Sequence, residues 1–124
     1  MKPVVPMIFA CALSVTLVGV ARGGAAEKFR QLRGSEIRSR LAGMEITDEV
    51  HWTYVFGRNG RLTSVSMGKQ DEGRWEVDKD QLCLKGASED TDCYQVWTLG
   101  NRVELRRPGA LPEEGVLQKP RQRK

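Results

Sequence analysis

The chain has 124 residues, with 20 Lys and Arg against 16 Asp and Glu, a formal net charge of +4 and a sequence pI of about 9.2. The excess positive charge sits at the ends: Lys2 and Arg22 near the start, and Lys119, Arg121, Arg123 and Lys124 at the finish, leave 14 basic and 16 acidic groups in residues 27–118. A basic pI that comes from the termini gives the folded body no reason to bind nucleic acid, and a single histidine excludes sites built from several imidazoles.

The first 26 residues read as a secretory signal peptide. Lys2 supplies the early cation, Val4–Val20 the apolar run, and Gly24-Ala25-Ala26 the small side chains of a cleavage site. Pro6 breaks a run already short of the roughly 20 residues that a membrane span needs. Cleavage near Ala26 predicts a periplasmic or secreted protein with no transmembrane segment in the mature chain. Cys11 leaves with the leader, so Cys83 and Cys93 remain as a pair. In an oxidising compartment that pair is expected to form a disulfide rather than a metal site, since two thiols and one distant His fall short of a zinc set.

Residues 27–107 form the expected single β-rich domain. Gly34–Gly43, GSEIRSRLAG, predicts a short helix with Ser35 as cap, Ile37 and Leu41 on one face and Gly43 at its close. Two turns of helix are not stable alone, so its expected task is to plug or cover one end of a sheet. Met44-Glu45-Ile46 is a brief candidate strand. In Val50–Phe56, VHWTYVF, the residues Val50, Trp52, Tyr54 and Phe56 alternate onto one face. Gly57–Gly60 is the turn, by either a four-residue loop or a two-residue Asn59-Gly60 turn. Both options put Thr63, Val65 and Met67 on the Trp52 face of a return strand Arg61–Met67, and both put Leu62 on the opposite face. Gly68–Glu72 reads as a polar connection.

Two further tight turns and the cysteine bridge set the remaining registers. A Lys79-Asp80 turn places Val77 opposite Leu82 and Trp75 opposite Leu84. A Cys83–Cys93 bridge places Leu82 opposite Tyr94. A Gly100-Asn101 turn places Thr98 opposite Val103 and Val96 opposite Leu105. All three put Trp75, Val77, Leu82, Leu84, Tyr94, Val96, Val103 and Leu105 on one face. That agreement predicts an antiparallel meander of about six strands curling into a small barrel or half-barrel, lipocalin-like by analogy. Residues 108–124, rich in Pro, Gly and cations, read as a disordered tail.

No catalytic motif is present: GxSxG, HExxH, CxxC and phosphate-cradling glycine loops are all missing from the chain. No catalytic residue, metal or cofactor is therefore assigned. The polar cluster Glu45, Asp48, Glu49 and His51 is the remaining enzyme candidate, of hydrolase type, with solvated loop residues as the stronger expectation. The acidic runs Asp71-Glu72 and Glu89-Asp90-Thr91-Asp92 lack the ligand spacing of a calcium loop. On the face opposite the core, Val55, Leu62, Trp97 and Leu99 stand beside the disulfide. They are either covered by the helix at 35–42, the stronger expectation, or left as a patch for a partner. The interior mouth near Trp52 and Tyr54 is a second binding candidate.

Gly73-Arg74-Trp75-Glu76-Val77, Leu82-Cys83-Leu84 and Asp92-Cys93-Tyr94-Gln95-Val96, preceded by the G-x-E-I-x-x-x-L-x-G helix, resemble the pattern of small exported proteins of Gram-negative bacteria that form a domain of unknown function. The resemblance spans residues 34–106 and implies an architecture without an active site. Lys79-Asp80 departs from it, standing where a glycine-containing turn is expected. The function expected from all of this is a non-enzymatic exported domain binding a protein partner or a small apolar ligand. The alternative is an envelope protein tethered by its basic tail.

Overall fold

A computed structural model describes residues 2–4 and 28–121. Apart from residues 2–4, the expected leader lies outside the described residues, as do the last three positions of the tail. The elements run β1 (Arg30–Gln31), α1 (Gly34–Leu41), β2 (Glu45–Thr47), β3 (Trp52–Phe56), β4 (Arg61–Ser66), β5 (Lys69–Asp78), β6 (Gln81–Lys85), β7 (Thr91–Leu99), β8 (Arg102–Arg106) and β9 (Glu113–Gln118). Strands β2–β8 pair consecutively, and β9 lies between β8 and β2, so eight antiparallel strands close into a barrel. Strand β1 is extra. It pairs with the end of β7, beyond the reach of β6, with Arg30 opposite Thr98 and Gln31 opposite Trp97. Among the described residues no helix is long and apolar enough to cross a membrane.

The three hairpin registers expected from the two tight turns and the cysteine bridge are all present. Trp75 lies opposite Leu84, Leu82 opposite Tyr94, and Val96 opposite Leu105. Cys83 faces Cys93 across β6 and β7, and the two form a disulfide on the outer face. The eight residues assigned to the common face all belong to the interior cluster, with Val77 packed at its edge.

The hairpin β3–β4 differs from expectation. Phe56 pairs with Leu62, which puts Leu62, Ser64 and Ser66 inside and Thr63 and Val65 outside. The turn explains it. Gly57 donates to the Arg61 carbonyl at 2.8 Å and Gly60 donates to the Gly57 carbonyl at 3.1 Å, leaving a three-residue loop with Gly60 at φ 87°. This is a type I turn followed by a left-handed glycine, and its odd loop length reverses the parity that two or four residues would give. Leu62 is accordingly buried at 3% exposure, not part of an outer patch.

Two segments expected to be irregular are strand. Met67 and Gly68, both at positive φ, make a tight turn into β5, so Lys69–Glu72 pairs with β4 rather than forming a loop. Residues Glu113–Gln118, expected in a disordered tail, form β9 and complete the barrel. Their inward side chains are Glu113 and Leu117, with Gly115 between them. A β-carbon on Gly115 would come within 3.0 Å of the Trp52 ring and 2.9 Å of Ile46, so glycine leaves the space that the indole fills. Val50 lies in the loop before β3, exposed, rather than on the inner face.

Helix α1 plugs one end. Ile37 and Leu41 are fully buried in the interior cluster, and Arg40 reaches across to the Thr98 hydroxyl at 3.2 Å and the Gly100 carbonyl at 3.1 Å. The cap is not Ser35. The helix begins at Gly34, whose amide donates to Asp80 Oδ1 at 2.9 Å, while the Arg33 amide donates to Glu36 Oε1 at 3.2 Å. Because the plug lies within the barrel end, it does not cover Trp97.

Candidate functional site

With α1 closing one end, the loops that join β2–β3, β4–β5, β6–β7 and β8–β9 surround the other. An aromatic ladder climbs the inner wall toward that opening. Trp75 meets Phe56 edge-on at 5.5 Å between ring centroids, Phe56 lies 6.5 Å from Tyr54, and Tyr54 lies 5.1 Å from Trp52. At the plugged end Trp75 Nε1 donates to the Gly57 carbonyl at 2.8 Å, so that ring is fixed and satisfied. Toward the mouth, Asp92 is paired with Arg107, but three polar groups have no such partner. Neither the Tyr54 nor the Tyr94 hydroxyl has a hydrogen-bond partner among the described residues, and the buried Oε2 of Glu113 has none either. Buried polar atoms are nearly always paired, so the Glu113 oxygen is an exception among the described residues.

The three groups feel one another. Burial, then the Glu113 charge, raises the Tyr54 and Tyr94 phenols above their usual range. Burial raises the Glu113 carboxyl as well, with Asp92 adding to the effect and Arg107 opposing it. Next to them opens a cleft of about 510 Å³, lined by Tyr54, Tyr94, Leu62, Leu84, Ser64 and Asp92 among others. Gly73 lies opposite Leu62 on β5, and glycine is required there because a β-carbon would meet the Lys85 carbonyl oxygen and come within 3.1 Å of Gly86. Around the rim, Val50, Met67 and Leu111 are 78%, 78% and 90% exposed. They are the exposed large apolar side chains of the folded body and belong to three of the four loops at this end.

The expected site residues divide between places. Trp52 and Tyr54 line the mouth, as the sequence suggests. Val55 and Trp97 share the outer face but stand on β3 and β7, opposite each other around the barrel, so no patch joins them. Trp97 is half-buried: the Arg106 guanidinium stacks 4.2 Å from its ring centroid and is ion-paired to Glu104, and Gln95 accepts from its indole N–H at 3.1 Å. Leu99, two residues on, is half-buried opposite Arg102.

The Glu45–His51 cluster is gathered but occupied. Asp48 Oδ1 accepts from the amides of Val50, His51 and Trp52, and Oδ2 meets His51 Nδ1 at 3.0 Å. Desolvation pushes the Asp48 carboxyl up, yet these bonds outweigh it and bring it to about 2. Fully buried Glu45 accepts from Gln118 Nε2 at 2.7 Å and from the Arg121 amide at 3.2 Å, while Arg121 pairs with Glu49. These residues tie the loop before β3 and fasten the end of β9. A shallow cleft of about 270 Å³ lies over them on the outer face.

Glu113, Tyr94 and Arg107 are the mouth residues that sequence reasoning did not single out. Tyr94 read as plain core, and Glu113 and Arg107 fell in or next to the supposed tail. The period-two order Glu113, Gly115, Leu117 was the available signal, masked by the prolines around it. Comparison with protein-family models, with curated proteins and with solved structures finds no match for this chain.

Proposed function

We propose that this is an exported, non-enzymatic barrel that binds a small ligand in its open mouth. The observation that carries the reading is the 510 Å³ cleft lined by Tyr54 and Tyr94, both of which feel the charge of the neighbouring Glu113, whose Oε2 is buried without a hydrogen bond. A mostly preformed concavity with a few convergent polar groups is the usual form of a ligand site. The mouth is more polar than the apolar ligand expected from sequence would favour, so the ligand carries hydrogen-bonding groups. Export is supported by the Val4–Val20 apolar run and by the disulfide, which suits an oxidising compartment.

The non-enzymatic part of the reading is supported by the structural duties of Glu45 and Asp48, which leave that cluster little to offer a substrate. The tether alternative loses support because Gln118 and Arg121 are fastened to Glu45 and Glu49. The test is a ligand-observed NMR screen of a small-fragment library on the mature protein, repeated on Ser64→Trp, which fills the cleft, and on Trp97→Ala. Hits that vanish in Ser64→Trp and persist in Trp97→Ala support the proposal. Hits that survive the filled mouth, or a screen with none, contradict it.

A further inference from the structure

The chemistry of the mouth narrows its ligand, an inference that rests on the binding reading above. Glu113 Oε2 is buried without a hydrogen bond among the described residues. A buried carboxylate of this kind is costly until a donor, best a charged one, reaches it. The groups that face or line the opening are acidic in excess: Asp71, Asp90, Asp92 and Glu113 against Lys69 and Arg107. The mouth also already attracts a cation from its own chain. Arg107 lies with its guanidinium 5.4 Å from the Tyr94 ring centroid and donates from Nη1 to Asp92 Oδ1 at 3.0 Å. Arg107 itself is exposed and held by one surface ion pair, which is weak, so a ligand can displace it.

We propose that the mouth selects a small organic cation, a primary ammonium or a guanidinium on a compact apolar body, with Glu113 as its counter-ion and Tyr54 and Tyr94 as its aromatic walls. A carboxylate flanked by electron-rich ring faces is an arrangement that stabilises ammonium groups by charge and cation–π attraction together. Arg107 then acts as an internal competitor, shielding Tyr94 and Asp92 when the ligand is absent.

The experiment is calorimetric titration of the mature protein with benzylamine, benzyl alcohol and benzoate, which share one apolar body and differ in charge. Benzylamine is expected to bind at least about tenfold tighter than either of the others, the size of one charge-assisted hydrogen bond. Glu113→Gln should remove that preference while leaving benzyl alcohol unchanged. Arg107→Ala, which removes only the competitor, should tighten benzylamine. Equal binding of benzyl alcohol and benzylamine, or a preference that survives Glu113→Gln, overturns the cation inference and leaves the ligand site standing. No heat from any of the three, joined to a fragment screen without hits, overturns both.

Discussion

Asp80, in the β5–β6 turn, caps helix α1 by accepting the Gly34 amide at 2.9 Å across 46 residues of sequence. The same turn holds Lys79 at φ 56°, a conformation that favours glycine. The departure from a glycine-containing turn thus has a use: the carboxylate ties the plug to the barrel wall. Asp80→Ala is expected to cost about 1 kcal/mol, the usual value of a lost cap, with Asp80→Asn retaining most of it. Urea titration followed by Trp fluorescence measures both. Equal loss in the two variants would argue against capping.

The parity of β4 gives a second prediction. Leu62 faces Phe56 inside the barrel and Val65 faces out opposite Gln70. Leu62→Ala should therefore cost about 2–5 kcal/mol and Val65→Ala under about 1. The order reverses if the hairpin closes with a two- or four-residue loop, so denaturation midpoints of the two variants decide the register.

The disulfide joins positions ten residues apart on the outer face of an intact hairpin. Loop-closure entropy assigns it about 3 kcal/mol. Cys83→Ser is expected to lower the unfolding midpoint accordingly, to leave the far-UV spectrum of the barrel unchanged, and to leave mouth binding intact. Loss of fragment binding without loss of stability would give the sulfurs a role this account does not.

Two carboxyls give stability opposite pH dependences. Asp48 is lowered to about 2 in the fold, so its contribution is present above its ordinary value near 3.8 and drains away as pH falls toward 2. Glu113 is raised, so the folded state holds its proton more tightly than the unfolded chain. Its contribution is therefore fullest below about 4.5 and declines as pH rises through the folded value. Asp48→Asn should flatten the acid side of a stability–pH curve, and Glu113→Gln should raise stability on the neutral side. A curve unchanged by either substitution would contradict these environments.

The portion of the fold legible in the sequence was the portion governed by two-residue turns and by the disulfide. Lys79-Asp80, the cysteine pair and Gly100-Asn101 each fix a register, and the apolar residues agree with all three. Leu62 was misplaced because GRNG permits loops of two, three or four residues and only the structure shows which closes. Strand β9 was hidden because Pro108, Gly109, Pro112 and Gly115 interrupt the strand pattern around it, and because one of its partners, β2, is far away in sequence; barrel closure supplies that pairing. The mouth suffered from the same cause. Trp52 and Tyr54 were visible in the clearest strand, but Glu113 becomes their neighbour only when β9 completes the ring.

Ligand binding in the open mouth has a direct probe within the chain. Its only two tyrosines, Tyr54 and Tyr94, are both mouth residues. Protein labelled with 3-fluorotyrosine thus gives two ¹⁹F resonances, both reporting on the site. Titration with benzylamine and with the fragment hits should shift both resonances saturably in the wild type and neither in Ser64→Trp. Two resonances that stay fixed while the same compounds demonstrably bind would place the binding elsewhere and contradict the account.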